Sequence, residues 1–472
     1  MSPRPPSFLL PNSPSCRVLD RFSDLPDDVE VEEDESGCIP FWPLLQHLLR
    51  LPVSSVPQLI DRMQTITANA GTCRDNDFQT LKEFLSTRSE TKLLSTTWPK
   101  LRDIALDLPT YFPSGQLELL QPGLPLRLSR GQVACLVIHQ FLCSSVPQRD
   151  DEGYQDLGLW YSSEQRHPAA VEMYLEALFT YFERLPEASD LLQDHDGFTG
   201  RTETCVIYEL YRKEGEVALE AAKLAPVHVN YLDTHTTDIH SSEFQGKGGA
   251  AVVSANKIIG FGQSATQEEI FVGIAPESYP VVLVAPHLAD DTVTTVSGAR
   301  AMLSVKGQRR QIEWSCVGVP SLTESVERPG GRLVFMDALE MDMLESPSEG
   351  SLPDLQPENV DREIKKATAG FESYQGDAVF TGLWGCGAFG GDPGVKLVVL
   401  WIAAAAAAAV GIRLHIVLGP GEHELGVAFE RVVKVGEGSS AKVMRDTLLK
   451  APEKLRREGI LEWIEQAVSG TP

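Results

Sequence analysis

The hydrophobic pattern divides the chain into two parts, and the first part is helical. Between residues 41 and 220, apolar residues recur every three or four positions, as in "PFWPLLQHLLRL", "SRGQVACLVIHQFLC" and "AAVEMYLEALFTYFERL". This spacing places the apolar side chains on one face of a helix. Ser129 opens the second of these segments and Gln132 follows three positions later, which predicts a capping box. No repeat period is present, so we expect a compact helical domain over residues 41–220 rather than a solenoid.

In the second part, residues 221–472, strand-like segments alternate with helix-like segments. Short β-branched runs predict strands; they are "PVHVNYL", "GAAVVSA", "EIFVGI", "YPVVLVAP", "RLVFMDA" and "RLHIVLGP". Between some of them lie the helix-like segments "NVDREIKKATAGFESY" and "VKLVVLWIAAAAAAAVGI". Strands that alternate with helices predict an α/β layered sheet. The apolar run 397–412 is short for a bilayer and rich in alanine, so we expect a buried helix there rather than a membrane span.

Composition and charge narrow the class of protein. Hydrophobic residues make up 42% of the chain and charged residues 23%, which is typical of a soluble globular protein. The net charge of −25 argues against sequence-specific nucleic-acid binding, which needs a basic surface. A pocket for a small anion is still compatible with this charge, because backbone amides can bind phosphate. Residues 1–40, Pro- and Ser-rich and then acidic, predict a mobile solvated arm.

Cysteine spacing and the N-terminus bear on the compartment. The eight cysteines are scattered without a CxxC pair, which fits neither a zinc site nor a dense disulfide framework. Reduced thiols in an intracellular protein are the expectation that follows. The N-terminal "MSPRPPSFLLPNSP" lacks an apolar core of signal-peptide length. We therefore expect an intracellular protein that is neither secreted nor bound to a membrane.

The stretch "GFGQSATQEEI", residues 260–270, is the first candidate site. Gly260 and Gly262 let the backbone approach a ligand, and a helix that begins near Thr266 puts Glu268 and Glu269 in its first turn. Carboxylates at this position are stabilised by the helix dipole, so the more common interpretation is a cap. The alternative is a catalyst, in which one acid lies beside a bond to be broken.

The stretch "TGLWGCGAFGGD", residues 381–392, is the second candidate. It follows the strand-like "DAVF" and precedes a long apolar helix. A strand, a glycine loop and a helix N-terminus in succession bind diphosphates through amide N–H groups. Trp384 is expected to brace the loop, and Phe389 is unusual in a mere linker. The loop matches neither GxGxxG nor a P-loop, so ATP hydrolysis is not expected.

Other polar residues leave alternatives open. Asn256, after "GAAVVSA", could bind a sugar hydroxyl or hold the turn, with equal support for each. His235, Asp238 and His240 in "DTHTTDIH" could be metal ligands, but a solvated loop is the preferred interpretation. His415 is expected in the core. The chain contains neither HExxH nor GxSxG, so zinc-protease and Ser-His-Asp chemistry have no support.

Taken together, "ANKIIGFGQSATQEEI" and "TGLWGCGAFGGDPGVKLVVLWIAAAAA" resemble the catalytic core of poly(ADP-ribose) glycohydrolases. Weaker similarity extends to "FLLPNSPSC", "YFPSGQLELLQPGLPLRLSRGQVACLVIHQFLC" and "PENVDREIKKATAGF". The resemblance implies an α/β fold, a macrodomain-like three-layer α/β/α sandwich with a mixed sheet over residues 221–472. It also implies an N-terminal helical accessory domain over 41–220, preceded by the segment 1–40.

The resemblance also implies a reaction, the hydrolysis of ribose–ribose O-glycosidic bonds in poly(ADP-ribose). Glu269 would be the acid/base, while Glu268 and Asn256 would position ribose hydroxyls. The remaining substrate-binding positions implied by the family are Gly260, Gly262, Gln267, Gly385, Cys386, Gly387, Ala388, Phe389 and Gly390. No cofactor and no metal are implied. The implied partners are poly(ADP-ribose) and ADP-ribosylated proteins. We expect the protein to be a monomer that acts in the nucleus or the cytoplasm during the DNA damage response.

Elementary chemistry agrees with this assignment and also marks where the chain departs from the family. Glycoside cleavage passes through an oxocarbenium-like state that needs a proton donor and a nearby negative charge. Two adjacent carboxylates also disfavour double ionisation, which raises the pKa of one of them.

The residue typical of the family is replaced by another at Phe261, Val253, Ala299 and Leu383. These changes support a second hypothesis, a non-catalytic ADP-ribose-binding macrodomain protein; a scaffold built on the helical domain is a third.

Overall fold

The computed structural model of the chain describes most of its residues. The described ranges are 7–26, 28–73, 76–148, 157–196, 205–232, 249–307, 312–316, 331–344, 351–374, 376, 378–407 and 411–470. In the first of these ranges Ser7–Leu9 pairs with Gln116–Glu118, and Phe8 and Leu10 are buried. The prediction of a mobile solvated arm is therefore wrong for this stretch, because two apolar side chains anchor it in the core.

The N-terminal part is mostly helical, as its apolar spacing predicts. Its helices are α1 Phe41–Arg50, α2 Val56–Ala70, α3 Gln79–Ser86, α4 Glu90–Lys92, α5 Trp98–Leu106, α6 Leu108–Tyr111, α7 Arg130–Phe141, α8 Pro168–Arg184 and α9 Ala188–Asp196. The predicted capping box at α7 is confirmed. Gln132 N donates to Ser129 Oγ at 3.2 Å, and Ser129 N donates to Gln132 Oε1 at 2.9 Å.

An eight-stranded mixed sheet forms the centre of the molecule. The described residues contain the following strands, eight of which form this sheet: β1 Ser7–Leu9, β2 Arg17–Val18, β3 Ile39–Pro40, β4 Gln116–Glu118, β5 Leu126–Ser129, β6 Cys205–Arg212, β7 His228–Tyr231, β8 Ala250–Ala255, β9 Thr292–Ser297, β10 Leu303–Lys306, β11 Glu313–Cys316, β12 Arg332–Asp337, β13 Ala378–Thr381 and β14 Arg413–Leu418. The large sheet has the order β5-β6-β9-β12-β8-β13-β14-β7. From β12 to β7 neighbouring strands are parallel, while β9, β6 and β5 join in antiparallel pairs.

Helices cover both faces of this sheet and make the predicted α/β/α sandwich. The remaining helices are α10 Gln267–Gly273, α11 Val281–Val284, α12 Pro357–Glu372, α13 Pro393–Ala406, α14 His423–Gly436, α15 Ala441–Leu448 and α16 Glu458–Ser469. Alternate residues of β8 enter different cores. Ala251 and Val253 belong to the core shared with the N-terminal helices, whereas Ala250 and Val252 belong to the core with α12–α16. The helical part therefore packs directly against one face of the sheet.

Two predicted strands fold as helices instead. The segment "EIFVGI" lies in α10 and "YPVVLVAP" contains α11, so the strand predictions for both are wrong. All four residues of α11 are buried. When a short apolar run is buried on every side, its periodicity does not distinguish a strand from a helix turn.

The sheet also takes strands from the N-terminal side of the predicted boundary at residue 220. Both β5 and β6 precede it, yet they form one end of the large sheet. The boundaries at 40 and 220 stay predictions. The buried helix expected in the alanine-rich run is confirmed as α13. Among the described residues, no helix has the length and apolar character that crossing a membrane requires.

Candidate functional site

Both candidate loops lie at one edge of the sheet. The first loop follows β8, which ends at Ala255, and the second follows β13, which ends at Thr381. These strands are parallel neighbours, so their carboxyl ends meet at the same edge. In open α/β sheets this edge is where ligands bind. The topology therefore brings two loops that are more than 100 residues apart in sequence to the same edge of the sheet.

Thr266 starts helix α10 and ties Glu269 to the start of it. Glu269 N donates to Thr266 Oγ1 at 3.4 Å, and Thr266 N donates to Glu269 Oε2 at 3.0 Å. These two bonds form a capping box. The helix start predicted near Thr266 is confirmed, and Glu269 does act as a cap. Its side chain stays partly exposed.

Glu268 occupies a different environment one residue earlier. Its side chain is buried, and its Oε2 accepts from Asn256 N at 2.9 Å and Asn256 Nδ2 at 3.1 Å. No described residue donates to its Oε1 in the geometry of a hydrogen bond. Burial raises the pKa of Glu268 to about 8, against the lowering effect of the Asn256 bonds; the charge of Glu269 adds a smaller rise. At neutral pH Glu268 is therefore mostly a neutral carboxylic acid.

Gln267 connects α10 to the side of β8 that faces β13, beyond the point where the pairing of these two strands ends. Its Oε1 accepts from Ser254 N at 2.8 Å, and its Nε2 donates to the Val252 carbonyl oxygen at 3.3 Å. The pairing between β8 and β13 ends at Ala251, so these backbone groups have no strand partner there. Gln267 takes the place of the missing strand, which fixes α10 against the sheet edge.

Gly262 lies directly against the Glu269 carboxyl group. A Cβ atom added at this glycine would be 1.9 Å from Glu269 Oε1 and 2.3 Å from Cδ. No side chain fits there unless Glu269 moves. At the other end of the loop, Gly260 is partly buried. Gly262, predicted to let the backbone approach a ligand, thus leaves the space that the Glu269 carboxyl group occupies.

The second loop turns sharply and is braced from below. Gly385 and Gly390 have φ of +75° and +67°, in the left-handed region that glycine tolerates. A Cβ at Gly385 would lie 2.6 Å from the Ala338 Cβ. Trp384 is fully buried, and its Nε1 donates to the Met336 carbonyl oxygen at 2.9 Å. The prediction that Trp384 braces the loop is confirmed.

The tip of this loop presents free backbone amides. Gly387, Ala388 and Gly390 are exposed, while Cys386 and Phe389 are partly buried. Within the described ranges, no acceptor takes the amide hydrogens of Gly387, Ala388 and Phe389. Three consecutive amides without an acceptor are donors of the kind that suits an anion. The loop itself, rather than the following helix, offers the donors.

The N-terminus of α13 is closed, contrary to the expectation that it contributes to an anion site. Asp392 Oδ1 accepts from Gly394 N at 2.9 Å and from Val395 N at 3.2 Å. The main-chain amide of Arg457 also donates to Asp392. Because the aspartate already satisfies the first amides of the helix, they are not free for a phosphate.

Buried charges support the second loop from beneath, and sequence reasoning did not find them. Lys396, 1% exposed, pairs with Glu363 and lies 4.9 Å from the centre of the Trp384 ring. Asp354 is also buried, and its Oδ1 accepts from Asp392 N at 2.9 Å. Glu363 lies in "PENVDREIKKATAGF", and a charged residue in an otherwise apolar helical face was the available signal.

The remaining polar candidates add nothing to this edge. His415 is partly buried and stacks on His228 with ring centres 4.6 Å apart. His235, Asp238 and His240 lie outside the described residues. In the part of the chain that is described, no group of three or more His, Cys, Asp or Glu side chains could hold a metal ion. The structure records no disulfide bond between any two of the eight cysteines, all of which lie in the described ranges.

Comparison with known families gives this geometry a context. A family model described as the macro domain fold of poly(ADP-ribose) glycohydrolase matches residues 221–414, and a second, described as the helical domain of the same family, matches residues 85–199. The chain belongs to the poly(ADP-ribose) glycohydrolase family. Both domains that the family resemblance predicts are therefore present, in the predicted order.

Curated poly(ADP-ribose) glycohydrolases resemble the chain over a limited region. Poly(ADP-ribose) glycohydrolase 2 of Caenorhabditis elegans is 32% identical over 163 residues, which cover 32% of this chain and 33% of the relative. Poly(ADP-ribose) glycohydrolase 1 of the same organism is 30% identical over 169 residues, covering 32% of this chain and 21% of the relative. The matched region thus spans a third or less of these two relatives.

Solved poly(ADP-ribose) glycohydrolase structures are more distant. The enzyme from Thermomonospora curvata is 15% identical, with 56% of this chain and 99% of that chain covered at a TM-score of 0.35. A structure from Deinococcus radiodurans in complex with ADP-ribose is 15% identical, with 48% of this chain and 92% of that chain covered at a TM-score of 0.32.

Proposed function

We propose that this poly(ADP-ribose) glycohydrolase family member hydrolyses ribose–ribose O-glycosidic bonds in poly(ADP-ribose) and releases ADP-ribose. One observation carries the proposal. Two neighbouring carboxyl groups, Glu268 and Glu269, differ in burial at the same sheet edge where a glycine loop presents free amides. The family comparison supports this substrate, since the named relatives are poly(ADP-ribose) glycohydrolases.

Glu269 is the proposed acid/base. It would protonate the leaving ribose oxygen while the glycosidic bond breaks and then take a proton from the incoming water. Its partial exposure supports this role, because a group that exchanges protons with substrate and water must be reachable from the cleft. The Thr266 amide and the Gly262 backbone restrict the carboxyl group to a single region. A fixed proton donor loses less entropy when the transition state forms.

Glu268 is the proposed ribose-positioning group, together with Asn256. With a pKa raised by burial to about 8, Glu268 is neutral at pH 7 and can donate a hydrogen bond from Oε1, which has no hydrogen-bond partner among the described residues. As Glu269 gives its proton to the leaving ribose oxygen, its carboxyl group becomes the negative charge beside the developing oxocarbenium character, while Glu268 stays neutral. The two acids would then divide orientation and proton transfer between them.

The loop 385–390 is the proposed diphosphate site. Its free amides at Gly387, Ala388 and Phe389 can donate to phosphate oxygens, and no positive side chain is needed for such a site. The proposal assigns no cofactor, because a proton from Glu269 is enough to activate a sugar hydroxyl as a leaving group. We further propose that the substrates are ADP-ribosylated proteins in the nucleus or cytoplasm during the DNA damage response, and that the protein acts as a monomer.

A second function, ADP-ribose binding without catalysis, has one observation in its favour. Both carboxyl groups already make structural hydrogen bonds, Glu269 in the capping box and Glu268 with Asn256. A glutamate that only caps α10 would leave a site able to bind ADP-ribose through the glycine loop without cleaving a bond.

The decisive experiment compares wild type with Glu269→Gln on automodified polymer. Glutamine keeps the size of the side chain and can still accept from the Thr266 amide, but its amide group cannot transfer a proton to the leaving oxygen. General acid–base catalysis contributes about 100- to 10,000-fold to a rate, so release of ADP-ribose should fall by at least about 100-fold. Calorimetry with ADP-ribose should show binding by both proteins.

Glu424→Gln is the matched control, since Glu424 is an exposed carboxylate in the first turn of α14. It should leave hydrolysis unchanged. Binding of ADP-ribose without hydrolysis by wild type would establish the non-catalytic function instead. Equal hydrolysis by wild type and Glu269→Gln would remove Glu269 from the acid/base role while keeping the enzyme.

A further inference from the structure

Among the described residues, three side-chain hydrogen bonds join the loop ahead of α10 to the N-terminal helical part. The longest of them is exposed and runs from Arg166 Nη1 to Ser264 Oγ at 3.4 Å. Trp160 Nε1 donates to the Gly262 carbonyl oxygen at 2.8 Å. One residue further on, Gln263 Nε2 donates to the Leu159 carbonyl oxygen. The contacts run in both directions between two short segments about 100 residues apart in sequence. The loop that holds the proposed catalytic acid is therefore anchored outside the sheet.

Trp160 is itself held on several sides. Its side chain is 1% exposed, and its ring centre lies 5.1 Å from Tyr174, 5.3 Å from Phe261 and 5.9 Å from Tyr279. Indole has a single N–H donor, and a buried indole normally uses it. Here that donor is spent on Gly262. The packed rings leave the indole little freedom, so its donor fixes the position of the 262–263 peptide group.

The position of this peptide decides where the Glu269 carboxyl group lies. The missing Cβ of Gly262 would fall 1.9 Å from Glu269 Oε1, so the Gly262 backbone is one wall of the space that the carboxyl group occupies. The Thr266 amide, which donates to Oε2 at 3.0 Å, is the other restraint. A displacement of Gly262 would open this space on one side.

The backbone between these two points is not in a relaxed conformation. Ala265 has φ of +54°, which is uncommon for a residue with a Cβ atom. Such a conformation persists when the surrounding contacts determine it. Trp160 supplies one such contact, because it binds the Gly262 carbonyl oxygen three residues before Ala265.

We propose that Trp160 is a positioning residue for catalysis: it fixes Gly262 and thereby the orientation of the Glu269 carboxyl group. The helical part then contributes to the reaction by holding the loop that positions Glu269. This inference rests on the proposed function, in which Glu269 transfers the proton.

Trp160→Phe tests the proposal, because phenylalanine keeps an aromatic ring in the pocket and removes only the donor and part of the indole. Misplacing a catalytic group by about 1 Å costs about 100-fold, so we expect kcat on automodified polymer to fall by about 10- to 100-fold. The KM for polymer and the ADP-ribose affinity should change little. The acidic and basic limbs of the pH profile of kcat should also shift, since the surroundings of Glu269 change.

Tyr161→Phe is the matched control. Tyr161 is also buried, and its hydroxyl donates to the Phe141 carbonyl oxygen at 2.6 Å within the helical part. It loses one comparable hydrogen bond without contact to the loop, so its kcat and pH profile should match wild type. Hydrogen exchange adds a readout that does not depend on activity. Amides 260–266 should exchange faster in Trp160→Phe than in Tyr161→Phe.

The outcomes are separable. Wild-type hydrolysis with unchanged kcat and pH profile in Trp160→Phe would overturn the positioning role, as would an equal loss in Tyr161→Phe. If wild type itself does not hydrolyse polymer, the proposed function fails, and hydrogen exchange still decides the anchor. Equal exchange of amides 260–266 in both variants would overturn the anchoring of the loop by Trp160.

Discussion

The two loops of the site are built in opposite ways. The loop 260–269 brings carboxyl side chains to the sheet edge and restricts them with backbone and with buried aromatic rings from the helical part. The loop 381–392 brings backbone amides to the same edge, where the buried Trp384 side chain and a buried ion pair support it. Proton transfer needs particular side chains in particular environments, whereas binding a diphosphate needs only N–H donors that point at its oxygens. This contrast explains why substitutions in the two loops should have different signatures.

The largest expected effect concerns the buried charge beneath the second loop. Lys396→Met removes one of the two cations that pair with Glu363, while Arg362 Nη1 stays 2.6 Å from its Oε1. Breaking a buried pair costs about 3–5 kcal/mol of unfolding free energy, which is the upper bound for this variant. Chemical denaturation measures it. Lys442→Met is the control, because that lysine is half exposed and its pair with Asp446 is worth about 0.5 kcal/mol or less. Equal losses in the two variants would mean that the buried pair does not support the loop.

The next effect separates the two neighbouring acids of the first loop. The pKa of Glu268 rises on folding from 4.5 to about 8, so its stabilising contribution is complete below pH 4.5 and is lost as the pH rises through about 8. Wild type should lose about 3 kcal/mol relative to Glu268→Gln between pH 6 and pH 9, at 1.36 kcal/mol per pKa unit. Denaturation at both pH values measures this difference. Parallel pH curves for the two proteins would show that Glu268 is charged in the folded state.

A third prediction tests whether Gly262 seats the carboxylate. In Gly262→Ala the new methyl group would meet Glu269, and a displaced catalytic group lowers kcat by about 100-fold. The affinity for ADP-ribose should stay close to that of wild type, because the second loop is untouched. Steady-state kinetics and calorimetry distinguish the two quantities. Gly459→Ala, where the nearest atom would be 3.7 Å away, should behave like wild type.

The smallest expected effect applies to binding by the second loop. Gly385→Ala places a methyl group 2.6 Å from the Ala338 Cβ at a left-handed φ, which shifts the free amides. We expect about tenfold weaker ADP-ribose binding, or 1.4 kcal/mol, measured by calorimetry. Gly438→Ala has a similar φ of +78° with nothing within 4 Å, so it isolates the backbone strain. If kcat falls more than affinity in Gly385→Ala, the proposed separation between the two loops is wrong.

Local features of the fold were predictable from the sequence. The helix starts at Ser129 and Thr266 depend on residues three positions apart, and both capping boxes are present. The strand preceding each candidate loop was also predicted, since β-branched runs bounded by glycine are a local signal. The family resemblance added the order of the two domains, which local patterns do not contain.

Features that depend on distant residues were not predictable. The runs around Ile270 and Val282 have strand-like composition, but complete burial against the helical part makes them helix turns. The closing of α13 by Asp392 was missed, because an aspartate after a glycine loop was taken only as part of the loop. Trp160 carries no sequence signal toward Gly262, since the contact exists only after the sheet and the helices pack together.

The separation of 102 residues between Trp160 and Gly262 also has a consequence for biosynthesis. A ribosome adds about 5–20 residues per second, so the indole is made about 5–20 s before its acceptor. During that interval the ring cluster around Trp160 lacks Phe261 and Tyr279, and the indole N–H lacks the Gly262 carbonyl oxygen as its acceptor. We expect nascent chains that end between residues 200 and 260 to expose this apolar surface to chaperones, and chains that extend beyond residue 280 to bury it.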